Sequence, residues 1–149
     1  MPSTSIVPAP VSFHFLEGGR VSLTQRLLLK SFIASLFKKE KHRLEACRYI
    51  FCSDKYLLTI NQQYLQHDYY TDIITFGLSE PGKPINAEIY ISVDRVKENA
   101  VTFNSSFKRE LHRVIFHGAL HLCGYKDKKK EDSTLMRKME DKYLRQYLE

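Results

Sequence analysis

The segment His117-Gly118-Ala119-Leu120-His121-Leu122-Cys123-Gly124-Tyr125-Lys126-Asp127 reads as the end of a helix, a glycine stop and a returning loop. Four residues apart on a helix, His117 and His121 stack on one face, close enough to share one metal ion. Gly124 can adopt the left-handed conformation that ends a helix, which turns the chain back and carries Asp127 toward the same point. Two imidazoles and a carboxylate leave a tetrahedral zinc ion one open position, where a water becomes a nucleophile. The plainer alternative is a pair of half-buried, hydrogen-bonded histidines followed by a solvated aspartate. Glu131 and Asp132 compete with Asp127 for the third position. Cys123 falls two residues past His121 and points away from the imidazole face, as a packed thiol would.

Upstream, Ser106 opens this helix, and Leu111, Ile115, Ala119 and Leu122 form its core stripe, so the apolar face fixes where the histidines point. Downstream, a last helix from about Asp132 carries Leu135, Met139, Tyr143 and Tyr147 on one side. Earlier in the chain, residues 11–15 alternate as a short strand and Glu17-Gly18-Gly19 marks a turn. Ser22 then starts a helix, Gln25 completes a capping box, and Leu28, Leu29, Phe32, Ile33 and Leu36 form the buried stripe. Residues 48–53 read as a strand, after which Asp54 caps a helix through Leu57, Leu58, Asn61 and Leu65. Residues 72–78 read as an interior strand, residues 79–84 reverse direction, and residues 87–93 pair antiparallel with it. Asp94 caps a short helix toward Phe103. This order predicts an α/β fold: a small mixed sheet of about four strands covered by helices, in one domain over residues 1–149.

With 43% hydrophobic residues in 149, the chain suits a single core. No apolar run approaches bilayer length, and the start MPSTSIVPAPVSFHF lacks the charged end and apolar block of a secretion signal. A cytoplasmic location without a membrane partner is expected. Cys47, Cys52 and Cys123 make an odd count without a C-x2-C pair, which argues against disulfides and against thiolate zinc. A net charge of +6 makes polyanions plausible partners. Lys38, Lys39, Lys41, Arg43 and Arg48 form one basic stretch, while Lys126, Lys128, Lys129 and Lys130 follow the histidine helix directly. A lysine run is usually a solvated face; beside a hydrolytic metal it is well placed to attract an RNA backbone.

The run HGALHLCGY resembles the signature of the YbeY family of bacterial metal-dependent endoribonucleases, H-G-x-L-H-L-x-G-Y-D-H. Residues 58–76, LTINQQYLQHDYYTDIITF, resemble the family's L-N helix followed by T-D-V-L-S-F, with Thr71, Asp72 and Phe76 aligned. AEIYIS, starting at Ala87, resembles its G-D-I-x-I-S strand, and Glu98-Asn99-Ala100 falls where a helix follows. The resemblance implies the same fold, with a cleft between metal site and sheet that Thr71, Asp72 and Thr75 would line unless they serve only in capping and strand pairing. Two positions depart from the pattern. Where the family has its third histidine this chain has Asp127, preceded by Lys126 in place of aspartate. A carboxylate oxygen binds zinc at nearly the imidazole distance, but its charge makes a bound water a weaker acid and shifts activity to higher pH. Leu65 stands where the family places an arginine facing the cleft, which removes a bidentate phosphate clamp. Lys126, Lys128, Lys129 and Arg48 are the candidates for RNA contact.

The expectation is a single-strand-specific, metal-dependent endoribonuclease with His117, His121 and Asp127 as both metal ligands and catalytic residues. The cofactor would be one divalent ion, zinc in the first place, although nickel and manganese accept the same donors. The resemblance implies work on the 3′ end of small-subunit ribosomal RNA and in ribosome quality control, with the ribosome or its small subunit as partner. One rival is a zinc metallopeptidase. It is weakened because Gly118 occupies the position of the glutamate that follows the first histidine in H-E-x-x-H peptidases, leaving no evident proton donor for an amine leaving group. A second rival is a non-catalytic RNA- or ribosome-binding protein whose metal is structural.

Overall fold

The computed structural model describes residues 10–149. The nine residues before them, part of the stretch without a secretion-signal pattern, lie outside the described residues. In chain order the elements are β1 (Val11–Phe15), α1 (Arg26–Lys39), β2 (Leu44–Cys52), α2 (Asp54–Leu65), β3 (Ile73–Gly77), β4 (Ile85–Ser92), α3 (Val93–Thr102), α4 (Phe107–Leu122) and α5 (Lys130–Leu148). The strands form one four-stranded sheet in the order β1-β2-β4-β3. β1, β2 and β4 run parallel and β3 runs antiparallel to β4, which is the small mixed sheet the pattern predicts. Among the described residues no helix is long and apolar enough to cross a membrane.

Strand alternation sends Cys47, Tyr49 and Phe51 of β2 and Ala87, Ile89 and Ile91 of β4 into one core, where all six are fully buried. Helices α1, α4 and α5 close that core with Leu29, Ile33, Phe37, Ile115, Phe116, Tyr143 and Leu144. The Tyr49 hydroxyl donates to the Ile115 carbonyl at 2.8 Å, so α4 is tied to the sheet at its centre. The opposite face carries a smaller cluster in which Leu57 and Ile60 of α2 meet Ile74 of β3 and Cys52 of β2.

Several boundaries differ from expectation, each for a local reason. The first helix begins at Arg26, not Ser22: Gln25 is left-handed at φ 53° and caps nothing with its side chain. Leu23 is instead drawn into the core, while Leu28 is 54% exposed and Phe37 takes its place in the buried stripe. Ser53 and Ser92, not Asp54 and Asp94, accept the capping hydrogen bonds of α2 and α3. Asp54 is engaged elsewhere, paired with Arg95 at 2.8 Å. The strand expected to be interior lies at the sheet edge, because the far side of β3 is given over to a cavity. On α5 the buried face is Met136, Glu140, Tyr143 and Leu144, whereas Leu135 is exposed. The helix is therefore rotated so that a carboxylate faces inward.

Gly118 lets α4 lie directly on the sheet. A Cβ there would stand 3.0 Å from both Ile73 Cδ1 and Ile89 Cδ1. Gly118→Val is expected to destabilise the protein by about 1–3 kcal/mol through overpacking, despite the better helix propensity of valine. Urea unfolding monitored by circular dichroism measures this, and an unchanged midpoint would contradict the close packing.

Candidate active site

Ser106 begins α4, its hydroxyl accepting from the Arg109 amide, as its sequence position predicts. At the other end Gly124, at φ 102°, forms the stop. Its amide donates to the His121 carbonyl at 3.0 Å and the Tyr125 amide donates to the Leu120 carbonyl at 3.1 Å, the pair of bonds of a Schellman motif. The returning loop is then anchored, since the Tyr125 hydroxyl donates to Glu40 at 2.8 Å and Tyr143 of α5 donates to the same carboxylate. These bonds place Asp127 with its Oδ2 3.3 Å from His117 Nε2.

The other nitrogen of His117 is held more tightly. Nδ1 stands 2.6 Å from Oε2 of Glu140, a buried carboxylate on α5. The second oxygen of Glu140 accepts from Arg113 at 3.2 Å, and Arg113 also pairs with Asp141 at 3.0 Å. Burial alone would lower the pKa of His117. The Glu140 hydrogen bond and charge, with help from Asp127 and Asp72, outweigh it and raise the pKa above its ordinary value. Asp72, hydrogen-bonded by Asn99 at 3.3 Å, has its own carboxyl pushed up by desolvation.

These groups surround a cavity of about 490 Å3 between α4, α5 and the free edge of β3. His117, His121 and Asp127 all line it, as do Thr71, Asp72 and Thr75. Glu131 and Asp132 face a neighbouring groove together with Lys126 and Lys129, so Asp127 is the acidic residue of that stretch that faces the histidines. Lys128 is exposed beside them. Arg48 is engaged by Asn86 at 2.9 Å and by Glu88 at 3.5 Å and does not line the cavity. The cationic groups in the cavity wall are instead Arg113 and Arg137. Cys123 packs against the core, and burial with the nearby Glu40 charge pushes its thiol up to about 12, unlike a thiolate ligand.

The donor set suits a divalent cation. Two atoms each about 2.0–2.1 Å from a tetrahedral zinc lie about 3.3–3.4 Å apart, and His117 Nε2 and Asp127 Oδ2 are separated by 3.3 Å. A carboxylate on the remote nitrogen of a ligating histidine fixes its tautomer and orientation, which is the place Glu140 holds. His121 is exposed on the same face, and among the described residues no three such side chains are gathered at ligand spacing.

Glu140→Ala would leave His117 and Arg113 without their shared partner in a site where the carboxylate is 8% and the guanidinium 14% exposed. A loss of about 3 kcal/mol is expected in metal-free protein, and a smaller one for Glu140→Gln. Chemical unfolding of the two variants tests this, and an Ala variant as stable as the wild type would contradict it. His112, one turn before Phe116, supplies a pH test: burial lowers its pKa, opposed in part by its hydrogen bond to the Lys108 carbonyl. Unfolding therefore takes up a proton at His112 below its unfolded pKa of about 6.5, and the stability tied to the neutral ring is lost as pH falls. His117 contributes with the opposite sign, so the comparison is with His112→Phe. The wild type should lose stability relative to that variant between pH 7 and pH 5, and a constant difference would contradict the assignment.

Comparison with known proteins gives a consistent result. A model of the family described as endoribonuclease YbeY matches residues 20–148. A protein of Cytophaga hutchinsonii named endoribonuclease YbeY is 49% identical over 132 residues, 89% of this chain and 92% of its own length. One of Porphyromonas gingivalis with the same name is 42% identical over 136 residues, 91% of this chain and 89% of its own length. A Thermotoga maritima protein solved in solution superposes with a TM-score of 0.60 at 33% identity, covering 89% of this chain and 86% of its own. With its histidine helix, its loop aspartate and its sheet edge bordering one cavity, the chain belongs to the endoribonuclease YbeY family.

Proposed function

We propose that this chain, acting as one domain over residues 1–149, is a metal-dependent endoribonuclease that cuts single-stranded RNA. In the cytoplasm it would serve in maturation of the 3′ end of small-subunit ribosomal RNA and in ribosome quality control, in contact with the ribosome or its small subunit. The observation that carries the reading is His117 held by Glu140 on one nitrogen and facing Asp127 at 3.3 Å with the other, inside a cavity whose wall includes Arg113 and Arg137. Zinc is the proposed ion, held by His117, His121 and Asp127. When bound, such an ion supplies Lewis acidity toward a phosphate and a water activated near neutral pH.

The chain's own residues provide the rest. Glu140 keeps the Nδ1 proton of His117 in place and so leaves the Nε2 lone pair toward the cavity. Arg137, about half exposed at the cavity wall, is available to a phosphate oxygen, while Arg113 is largely committed to its three carboxylates. Arg137 thus supplies positive charge that the leucine at position 65 does not. The Asp127 carboxylate adds negative charge next to the scissile position, from which an activity optimum on the alkaline side is expected. Gly118 offers no proton donor of the H-E-x-x-H kind. The peptidase reading and the non-catalytic reading are not favoured by relatives named as endoribonucleases.

The purified protein should cleave a single-stranded RNA and not casein, lose that activity to a chelator, and regain it with zinc. His121→Ala should stay folded and cut at least about 100-fold more slowly, and Glu140→Gln should weaken zinc binding about 10–100-fold by calorimetry. A wild type that cuts no RNA with any divalent ion, or a His121→Ala protein that cuts normally, would overturn the proposal.

A further inference from the structure

Phe103, Glu110, Arg113 and Arg137 line the His117 cavity and also a second groove, which runs on toward the loop before α4. The groove holds about 390 Å3, and its outer wall is formed by residues 104–106 and by Arg109. Inside it the Arg113 guanidinium is fully engaged, pairing with Glu110, Glu140 and Asp141. At the rim the guanidinium groups are less committed. Among the described residues Arg137 pairs with Glu140 alone, at 3.7 Å, and that carboxylate is already shared by His117 and Arg113. None of the ion pairs among the described residues involves Arg109.

Where cavity and groove meet, Phe103 ends α3 with 57% of its surface exposed. Asn104 follows in the left-handed conformation at φ 53°, and the chain turns there toward α4. An open aromatic ring in the same groove as under-compensated guanidinium groups suits single-stranded nucleic acid, whose bases stack on the ring while its phosphates meet the cations. A lone anion would make no use of the ring, and an apolar ligand none of the arginines.

We propose that this groove is a second RNA subsite: a nucleotide flanking the scissile phosphate stacks its base on Phe103, and its phosphate is held by Arg109 and Arg137. The proposal rests on the nuclease reading for the identity of the strand, and it makes binding in the groove independent of metal in the cavity.

The test uses metal-free full-length protein and a short fluorescein-labelled single-stranded RNA, with affinity followed by anisotropy across a salt series. Phe103→Ala should weaken binding about tenfold at every salt concentration, and Phe103→Trp should restore it. Arg109→Ala should weaken binding most at low salt and lower the slope of log affinity against log salt by about 0.7, the loss of one single-strand phosphate contact. In the metal-loaded enzyme both variants should raise KM and leave kcat nearly unchanged. Wild-type affinity and salt slope in both variants, or a Phe103→Ala loss that tryptophan fails to restore, would overturn the subsite. If Phe103→Ala does not fold, the Arg109→Ala slope decides. A wild type that binds this RNA through Phe103 and Arg109 but never cuts it would remove the nuclease reading and keep the groove. A wild type that cuts, with groove variants that bind and cut equally well, would do the reverse.

Discussion

The hydrogen bond between His117 Nδ1 and Glu140 Oε2, at 2.6 Å, joins the helix that carries the histidines to the helix that closes the domain. Without it, one oxygen of a buried carboxylate would be left without a partner, and His117 would be free to rotate or change tautomer. With it, both Glu140 oxygens are satisfied, one by the imidazole and one by Arg113, and a polar network fits between two helices that otherwise pack through Phe116, Met136 and Tyr143. The same bond leaves Nε2 as the nitrogen that faces the cavity. Packing and chemistry thus depend on one carboxylate.

The sheet serves the site by what it leaves open. Among the described residues β3 pairs only with β4, and the segment from Thr71 to Thr75 on its other side becomes a wall of the cavity. Gly118 brings α4 down onto the sheet without an intervening side chain, so the histidine that precedes it lies within reach of the Asp72 charge. The loop after Gly124 supplies the remaining wall, tied back by Tyr125 to Glu40 at the end of α1. A carboxylate at position 127 is a charge cost in such a site. Arg113 is taken up by its own carboxylates, so Arg137, about half exposed at the cavity wall, is the cation left to offset it.

What the sequence made legible follows range of interaction. Ser106, the stripe Leu111-Ile115-Ala119, the Gly124 stop and the hairpin of β3 and β4 are set by residues within a turn or a tight loop of one another, and each is where its pattern puts it. Arg113 was within reach too, because it lies four residues before His117 and shares its helix face. Glu140 was not. It is one acidic residue among several on α5, and its partners are 23 and 27 residues away, so only the rotation of α5 against α4 reveals its role. The inferred stripe on α5 included exposed Leu135 and missed Met136 and Leu144 for the same reason: a helix with apolar residues on more than one side is oriented by what it meets. The lysines after Gly124 were the opposite case. Their local density was visible, but the loop turns Lys126 and Lys129 to the outer groove, and the cavity draws its positive charge from arginines on the helices.

X-ray absorption spectroscopy of the zinc-loaded protein addresses the central claim most directly. A shell of only nitrogen and oxygen donors is predicted, with two imidazoles, one carboxylate and a solvent oxygen that exchanges for added phosphate. Loss of one imidazole in His117→Ala and of the carboxylate in Asp127→Ala completes the assignment. A sulfur donor, or four protein ligands with no exchangeable oxygen, would contradict it.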